Sequence, residues 1–282
     1  MNGYSILKHL RLRKKIYITM NQNPQIIKFA ILAAAALSVM ACTQKKQSIC
    51  VMTYNVGVFE KSGSNSMEQI AGVIRESGAE YISLNELDSC NQRHGCFQLR
   101  ELAQATGGWN YHFAKAFDFA GGGYGNGIMS PATIISSWSV ALPKAGGAEP
   151  RSMAVVETED CVFASVHLDH IGEEARCRQA EEINKWFTDR YQGCSKPVIL
   201  CGDMNAAPDS GPIRIFKEKW ILLSGETATF PSDAPACCID YIFALKSAAG
   251  ITSAEIIDLQ EDFPEVLSQA SDHRPVAVRI EF

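Results

Sequence analysis

The sequence lacks the patterns that mark several classes of protein. It has ten cysteines in 282 residues, but none stands in the C-x-x-C spacing of structural zinc sites, so such a site is not expected. No apolar run reaches the ~18 residues that a membrane-spanning helix needs. The formal net charge of −5 gives no basic footprint for a nucleic-acid backbone. Hydrophobic residues at 46% and charged residues at 20% exclude a disordered, collagen-like or low-complexity chain.

The N-terminal segment has the build of a secretory signal. The stretch Phe29–Ala41 is thirteen residues long and has no charge. It follows Lys28, and Arg11, Arg13, Lys14 and Lys15 lie further upstream. A basic flank before a short apolar run is typical of such signals. The run ends in Ala41-Cys42, which resembles the end of a bacterial lipoprotein signal. The resemblance implies that Cys42 is the lipidated first residue of the mature chain.

We therefore predict a signal peptide over residues 1–41, a polar tether over 42–48 and a lipid anchor in the bacterial cell envelope, either periplasmic or surface-exposed. The alternative is an uncleaved apolar N-terminal helix with a chance cysteine. Translation could start at Met1 or at Met20, since either start leaves a complete signal. In an oxidising envelope Cys90 and Cys96, within one predicted loop, are the first candidates for a disulfide.

Removal of the signal would make the chain more acidic. Residues 1–41 hold six Lys and Arg and no Asp or Glu, which leaves 20 basic and 31 acidic residues and a formal charge of −11. A chain with this charge attracts a polyphosphate poorly at long range unless it has a local basic patch.

Residues 49–282 are expected to form one domain, because they contain no linker, repeat or block of charge. The apolar run Ile49–Val56 predicts a strand buried on both faces. Apolar residues at helical spacing predict helices over Met67–Ser77 and Glu173–Tyr191, and Gly121–Gly127 predicts a flexible loop. Short strands without strict βαβ alternation favour an α+β layered domain. Further strands are predicted at Tyr81–Leu84, Met153–Glu157, Val162–Leu168, Val198–Cys201, Ile239–Ala244 and Val276–Phe282.

Polar side chains stand where several of these strands end, at Asn55, Glu86, His167, Asp169, His170, Asp203 and Asn205. Asp240 lies inside a predicted strand, and Asp272 and His273 come just before the last one. If the chain stays extended, Asp203 and Asn205 share a face. Carboxylates such as Glu86 and Asp272 suit Mg²⁺ or Ca²⁺ rather than zinc. A cleft with two histidines and several carboxylates suits metal-assisted attack of water on phosphorus.

Taken singly these features are weak, because an acid after a strand is most often part of a turn or a helix cap. Their order is more specific. TYNV, NE after YISL, a Tyr-Gly-Asn loop, VHLDH, GDMN, IDYIF and SDHRPV together resemble the endonuclease/exonuclease/phosphatase superfamily over about residues 49–282. The resemblance implies a four-layer αββα sandwich of two mixed, mainly antiparallel sheets. It also implies phosphoester hydrolysis without a covalent intermediate, dependent on Mg²⁺, with Mn²⁺ or Ca²⁺ as alternatives.

The resemblance further implies roles for single residues. The metal ligands would be Asn55, Glu86 and Asp272. The catalytic group would be His167, Asp203, Asn205, Asp240 and His273. Asp203 and His273 are rival candidates for the base that activates water, and Asp240 either orients His273 or is a structural acid. Asn205 would hold a phosphate oxygen, and His167 would face the phosphate as a second histidine. The family most often has Gln where this chain has Asn85.

Three residues are candidates for binding the substrate. The planar guanidinium of Arg151 suits phosphate oxygens, although Arg151 could equally be a solvated strand residue. Tyr124 and Asn126 lie in the glycine-rich segment, which would reach the cleft or form a plain turn. Asp169 and His170 are expected behind the site or at its rim.

The superfamily leaves the substrate open among phospholipid head groups, small phosphodiesters and nucleic acid. We expect a monomeric, membrane-anchored phosphoester hydrolase whose substrate is a phosphodiester. One alternative is a DNA or RNA endonuclease of the same superfamily. A second is a lipoprotein that binds a phosphorylated ligand without turnover. The aromatic stretch Trp109–Phe119 could line a lipid- or base-facing rim, but packing in a buried strand is the preferred interpretation.

Overall fold

The computed structural model describes residues 48–61, 66–248 and 250–282. These residues contain two six-stranded sheets. The first sheet contains, in spatial order, β11 Ser253–Ile257, β12 Val276–Glu281, β1 Ser48–Asn55, β2 Tyr81–Ser89, β4 Gly122–Ser130 and β3 Asn110–Phe119. The second contains β5 Ser136–Leu142, β6 Arg151–Glu157, β7 Val162–His167, β8 Val198–Asp203, β10 Asp240–Leu245 and β9 Trp220–Leu222. The pairs β1/β2 and β7/β8 are parallel, and the other pairs are antiparallel.

The sheets pack face to face because their strands are apolar on both sides. In β1, Ile49 and Val51 enter the core between the sheets, while Met52 and Tyr54 face the helices outside. This alternation follows from the period of two along a strand. The prediction that β1 is buried on both faces is confirmed, since only its first residue, Ser48, is exposed.

Helices cover the outer face of each sheet. On the first sheet lie α1 Met67–Ser77, α2 Gln98–Ala105, α5 Leu259–Asp262 and α6 Pro264–Gln269. On the second lie α3 Glu173–Tyr191 and α4 Gly211–Lys219. The bounds of α1 and α3 are those that the apolar spacing predicts. The predicted four-layer αββα sandwich with two mixed, mainly antiparallel sheets is confirmed. None of the described helices is both long and apolar enough to cross a bilayer.

The prediction of a glycine-rich loop is wrong for most of its length. Only Ala120 and Gly121 form a turn, and β4 begins at Gly122. The glycines permit close approach within the sheet, since a Cβ on Gly125 would lie 2.2 Å from the carbonyl oxygen of Ala114. The neighbouring β3 is an edge strand in which Ala114 alone is fully buried. The aromatic stretch therefore lies in a strand, as predicted, and Trp109 and Phe113 pack against the core, but the stretch is only partly buried.

The nine described cysteines are all free thiols. Cys90 and Cys96 are joined by a backbone hydrogen bond of 2.9 Å rather than by the expected disulfide. Cys161 and Cys201 are buried in the core between the sheets. The predicted signal peptide, most of the tether and Cys42 lie outside the described residues.

Gly202 of the GDMN motif lies where β7 and β8 approach closely, and this contact can be tested by substitution. Gly202 has a φ of +147°, and a Cβ there would lie 1.8 Å from the carbonyl oxygen of Val166. We expect Gly202→Ala to lower the free energy of unfolding by at least about 2 kcal/mol, measured by urea denaturation. Gly95→Ala is the control, because a Cβ on Gly95 meets nothing within 4 Å. Equal stability of the two variants would contradict the close contact.

Candidate active site

The strand register brings the polar motifs to one rim. The parallel pairs β1/β2 and β7/β8 each end at the same edge of their sheet, as parallel strands must. Within the second sheet His167 is the register partner of Asp203, and Asp203 is the partner of Asp240. Backbone pairing alone therefore places three predicted catalytic residues on adjacent strands.

His273 is held from two sides. Its Nδ1 lies 2.9 Å from Oδ2 of Asp240, and the same oxygen accepts a hydrogen bond of 2.5 Å from the hydroxyl of Thr229. The hydroxyl of Ser271 accepts from the backbone N–H of His273 at 3.2 Å and donates to the carbonyl of Asn55 at 2.6 Å. The SDH segment is thereby fixed to the end of β1, and Asp240 lies where it can orient the imidazole.

These carboxylates favour the charged form of His273. Burial alone would lower its pKa, but the charges of Asp240, Asp203 and Asp272 outweigh that cost and raise the pKa to about 10. An imidazolium donates from both nitrogens. One faces Asp240, and the other, Nε2, lies 3.7 Å from Oδ2 of Asp203.

Asp203 lies at the centre of the cluster and is buried. Its Oδ1 accepts from the backbone N–H of Asn205 at 2.8 Å. Its Oδ2 accepts from Nδ2 of Asn55 at 3.0 Å and lies 3.5 Å from Nε2 of His167. Burial, and then the negative charge of Asp240, raise the pKa of Asp203 to about 7. A carboxyl group that changes its charge near neutral pH is suited to proton transfer at that pH.

Glu86 reaches the site from an irregular strand. The pairing of β2 with β4 shifts between Leu84 and Leu87, and Glu86 has a φ of +60°. Such bulges re-aim side chains near active sites. Its Oε1 accepts from Nδ2 of Asn55 at 3.0 Å. Burial raises the pKa of Glu86, and the charge of Asp272 adds to this effect.

The acids of this rim suit a divalent cation, since a cation near Glu86 and Asp272 would relieve the burial and repulsion that raise the pKa of Glu86. Asn55 contacts the site differently from the expected ligand. Its Nδ2 faces the carboxylates, and its Oδ1 accepts from the backbone N–H of Gly57 at 3.1 Å. A second group of possible metal ligands among the described residues consists of Asp203, Asp240 and His273, whose ligand atoms lie within 4.8 Å of one another. In this group the positive charge of the His273 imidazolium already offsets negative charge on the carboxylates.

Asn205 departs from the expected geometry. The strand β8 ends at Asp203 and Asn205 has a φ of +46°, so the two side chains do not share the face of an extended strand. The two side chains diverge because Asn205 lies in a tight turn, in which its backbone N–H donates to Asp203. Its Nδ2 donates to the carbonyl of Leu168 at 3.1 Å, which leaves one amide hydrogen for a ligand.

Asn126 and Asn85 form a bridge behind the site. Nδ2 of Asn85 donates to Oδ1 of Asn126 and to the carbonyl of Val166, at 3.2 and 2.9 Å. Its Oδ1 accepts from the backbone N–H of Asp203 at 3.1 Å. Asn126 donates in turn to the carbonyl of Ser152 at 2.8 Å. The side chain of Asn126 thus contacts protein groups and positions Asn85, rather than reaching an open cleft.

Arg151 and His167 carry buried atoms that have no hydrogen-bond partner. Arg151 is only 4% exposed, so its interpretation as a solvated strand residue is wrong. It contacts Nδ1 of His170 at 3.0 Å. Within the described part of the chain, Nε of Arg151 and Nδ1 of His167 are unpartnered. Burial, and then the cations around it, hold the pKa of His167 well below its usual range.

Asp169 and Tyr124, two further candidate residues, have different environments. Asp169 accepts hydrogen bonds from the backbone of Ala148, Ile171 and Gly172, so it anchors loops behind the site. Tyr124 is half-buried, and burial, followed by the charge of Glu86, raises its pKa.

Thr229 and Phe230 contact the site but were not predicted from the sequence. Thr229 donates to Asp240, and the ring of Phe230 lies 4.9 Å from the ring of His273. Both come from the irregular segment between β9 and β10, where no motif or periodic pattern marks them.

The pair of Asp240 and His273 can be tested directly. Removing the carboxylate that favours the imidazolium must lower the pKa of His273, so we expect Asp240→Asn to bring that pKa from about 10 down toward or below its ordinary value. Ring NMR signals followed over pH measure it. His112, whose pKa is lowered by burial and which bonds the carbonyl of Trp138, is the internal control. An unchanged His273 titration would refute the orienting contact.

Comparisons with solved structures agree with this fold. Solved structures with similar folds include an endonuclease/exonuclease/phosphatase from Bacteroides vulgatus, with a TM-score of 0.68 and 18% identity over 84% of this chain and 100% of that chain. A Bacteroides thetaiotaomicron mannosyl-6-phosphatase has a TM-score of 0.63 and 20% identity over 83% of this chain and 100% of that chain. An endonuclease/exonuclease/phosphatase from Beutenbergia cavernae has a TM-score of 0.66 and 20% identity over 84% of this chain and 72% of that chain.

A search of curated protein sequences gave no significant match. The model of the Endonuclease/Exonuclease/phosphatase family matches residues 52–273, which contain every predicted catalytic and metal-binding residue described above. Members of this family hydrolyse phosphoesters with the aid of a divalent metal. The chain belongs to the endonuclease/exonuclease/phosphatase family and is a phosphoester hydrolase.

Proposed function

We propose that the protein hydrolyses a small or lipid-linked phosphodiester by in-line attack of water on phosphorus. The observation that carries the proposal is the placement of Asp203 beside His273. A carboxyl group with a pKa of about 7 lies 3.7 Å from an imidazole with a pKa of about 10. At neutral pH these values supply a proton acceptor and a cation within one buried cluster.

Asp203 is assigned as the base that takes a proton from the attacking water. His273 already carries a proton at neutral pH, so it is the weaker of the two candidates for that role. Its charged Nε2–H is better suited to contact a phosphate oxygen, and Asp240 keeps the ring in the required orientation. This arrangement separates the two roles by the environment of each group.

The phosphate group would be held by cations and amides of the rim. Arg151 supplies a buried guanidinium, and the amide of Asn205, which donates one hydrogen to the carbonyl of Leu168, has a second hydrogen for a phosphate oxygen. His167 is neutral and would contribute a hydrogen bond rather than a charge. Buried unpartnered atoms on Arg151 and His167 are costly without a ligand, so a substrate oxygen or hydroxyl is expected to satisfy them.

Glu86 and Asp272 would hold the metal, which we propose to be Mg²⁺, with Mn²⁺ or Ca²⁺ as alternatives. When bound it would neutralise charge on the oxygens of the phosphate. Hard carboxylate oxygens favour these ions over zinc.

Charge favours a small substrate over long nucleic acid. Residues 42–282 carry a formal charge of −11, which repels a polyphosphate backbone at long range. A similar fold occurs in a mannosyl-6-phosphatase, whose name describes a small phosphate ester as substrate. The complete set of acids and histidines argues against a protein that only binds a phosphorylated ligand.

Hydrolysis of bis-p-nitrophenyl phosphate tests the proposal. We expect turnover with Mg²⁺, Mn²⁺ or Ca²⁺ that is lost with a chelator. Asp203→Asn and Glu86→Gln are each expected to lower kcat by at least about 100-fold, because one removes the base and the other a metal ligand. Glu68→Gln is the matched control, since Glu68 lies exposed on α1.

No turnover with any of the three metals, or wild-type rates in folded Asp203→Asn, would contradict the proposal. A panel of plasmid DNA, sphingomyelin, inositol phosphates and nucleotides then identifies the substrate class. Efficient cleavage of plasmid DNA would favour the nuclease alternative.

We also propose that Cys42 anchors the enzyme in the bacterial envelope as a monomer. The support is the basic flank, the uncharged run and the Ala41-Cys42 junction. Cells fed an alkyne-bearing fatty acid are expected to label the wild-type protein, and Cys42→Ser is expected to abolish the label, since the thiol is the acceptor. Cys50→Ser serves as the control. Equal labelling of Cys42→Ser would rule out this anchor.

A further inference from the structure

We propose that His170 is a positioning residue, which holds the guanidinium of Arg151 in the orientation that binds the substrate phosphate. This inference rests on the hydrolase function proposed above and gives a role to a residue that the mechanism does not use. His170 is exposed, and its Nδ1 lies 3.0 Å from Nη2 of Arg151.

Arg151 lies beside the catalytic cluster. It begins β6, and the antiparallel neighbour β7 ends at His167. Burial lowers the pKa of His167, and the positive charge of Arg151 lowers it further. An anion bound at this rim would therefore meet the charge of Arg151, and the contact with His170 fixes where that charge lies.

The chemistry of the two groups fixes the direction of their hydrogen bond. A guanidinium has donors and no acceptor, so Nη2 of Arg151 donates and Nδ1 of His170 accepts. The proton of the neutral imidazole then lies on Nε2. An uncharged acceptor orients the guanidinium and leaves its positive charge for a ligand, whereas a carboxylate in the same place would also neutralise that charge.

Arg93 illustrates the alternative arrangement. Its Nε and Nη2 donate to the two carboxylate oxygens of Asp88, at 2.7 and 2.9 Å, so its charge is compensated within the protein. In Arg151 the carboxylate of Glu149 lies 3.6 Å from Nη2, beyond the usual length of a hydrogen bond, and the imidazole of His170 takes the closer position. Arg151 is thus arranged to keep its charge available.

His170 stands on a backbone that the buried carboxylate of Asp169 immobilises. Oδ1 of Asp169 accepts from the backbone N–H groups of Ile171 and Gly172, at 2.9 and 2.7 Å. The backbone N–H of Asp169 itself donates to Oε1 of Gln179 at 2.9 Å. An exposed imidazole on a fixed backbone is suited to orienting a neighbouring functional group.

The same carboxylate fixes the segment before Arg151. Oδ2 of Asp169 accepts from the backbone N–H of Ala148 at 2.7 Å, and Glu149 follows directly in the chain. The two groups that contact Nη2 of Arg151 therefore come from segments that one carboxylate ties together. Without His170, Nη2 would keep only the carboxylate of Glu149, and the guanidinium could turn toward it and away from a phosphate.

Steady-state hydrolysis of bis-p-nitrophenyl phosphate with Mg²⁺ measures the effect. His170→Ala is expected to raise KM about fivefold, as for the loss of one hydrogen bond, and to change kcat by no more than about twofold, because the contact acts on binding. His170→Asn is expected to restore KM, since its side-chain oxygen can accept near the position of Nδ1. His112→Ala, which removes a histidine that bonds the carbonyl of Trp138, is the matched control.

A double-mutant cycle shows whether His170 acts through Arg151. In an Arg151→Met background, His170→Ala is expected to cause no further change in KM, because the group that it orients is gone. Thermal melts confirm that each variant is folded. The tautomer of the His170 ring, read from imidazole ¹⁵N signals of the wild-type protein, checks the contact without any variant, and a neutral ring with its proton on Nε2 is expected.

Calorimetric binding of inorganic phosphate in the presence of Mg²⁺ gives a readout that needs no turnover. His170→Ala is expected to weaken phosphate binding about fivefold, and His170→Asn is expected to bind as the wild type does. A protein that shows these ratios but hydrolyses no phosphoester would contradict the hydrolase proposal and support the positioning role.

Four results would overturn the positioning role. They are wild-type KM and phosphate affinity in folded His170→Ala, equal losses in His170→Ala and His170→Asn, a full additional loss from His170→Ala in the Arg151→Met background, and a proton on Nδ1 of the neutral ring. Absence of phosphate binding by the wild-type protein would overturn it as well, since Arg151 would then not serve an anion.

Discussion

The buried carboxylate of Asp203 is the interaction on which the rim of the molecule depends, because it joins the two sheets. Asn55 from the first sheet donates to its side chain, and Asn85 from the same sheet accepts from its backbone N–H. Asp203 itself ends β8 of the second sheet. The contacts that orient the acid are thus also contacts between sheets, and the edge of the core is built from polar groups that each require a partner.

A charge in such a place is expensive unless it is compensated. Here the compensation comes from His273, whose own charge is maintained by Asp240, Asp203 and Asp272. The result is a chain of groups whose protonation states depend on one another. Unpartnered buried atoms remain on His167 and Arg151. We expect a bound phosphate ester to supply their partners.

Two residues of the rim have a strained backbone. Glu86 and Asn205 both have positive φ values, which residues with a side chain rarely adopt. Glu86 sits in the irregular pairing of β2, and Asn205 follows the last residue of β8. The surrounding strands are largely apolar and buried, and they hold these two residues in place. The stable core therefore supports an irregular rim that presents functional groups.

The sequence by itself determined the strands that carry the predicted catalytic residues, the helices α1 and α3, and nearly all of the residues that gather at the rim. Apolar periodicity predicts the strands and helices, and polar residues at the ends of apolar runs predict the residues of the rim. It did not determine that the glycine-rich segment is a strand, because close backbone approach by Gly125 is visible only once β3 lies beside it. It did not determine that Asn126 and Asn205 bond protein groups, or that Thr229 supports Asp240. The contact of Asn126 joins the two sheets, so only their packing could decide it. The contacts of Asn205 and Thr229 depend on irregular segments, whose course is fixed by the folded surroundings and not by a periodic pattern.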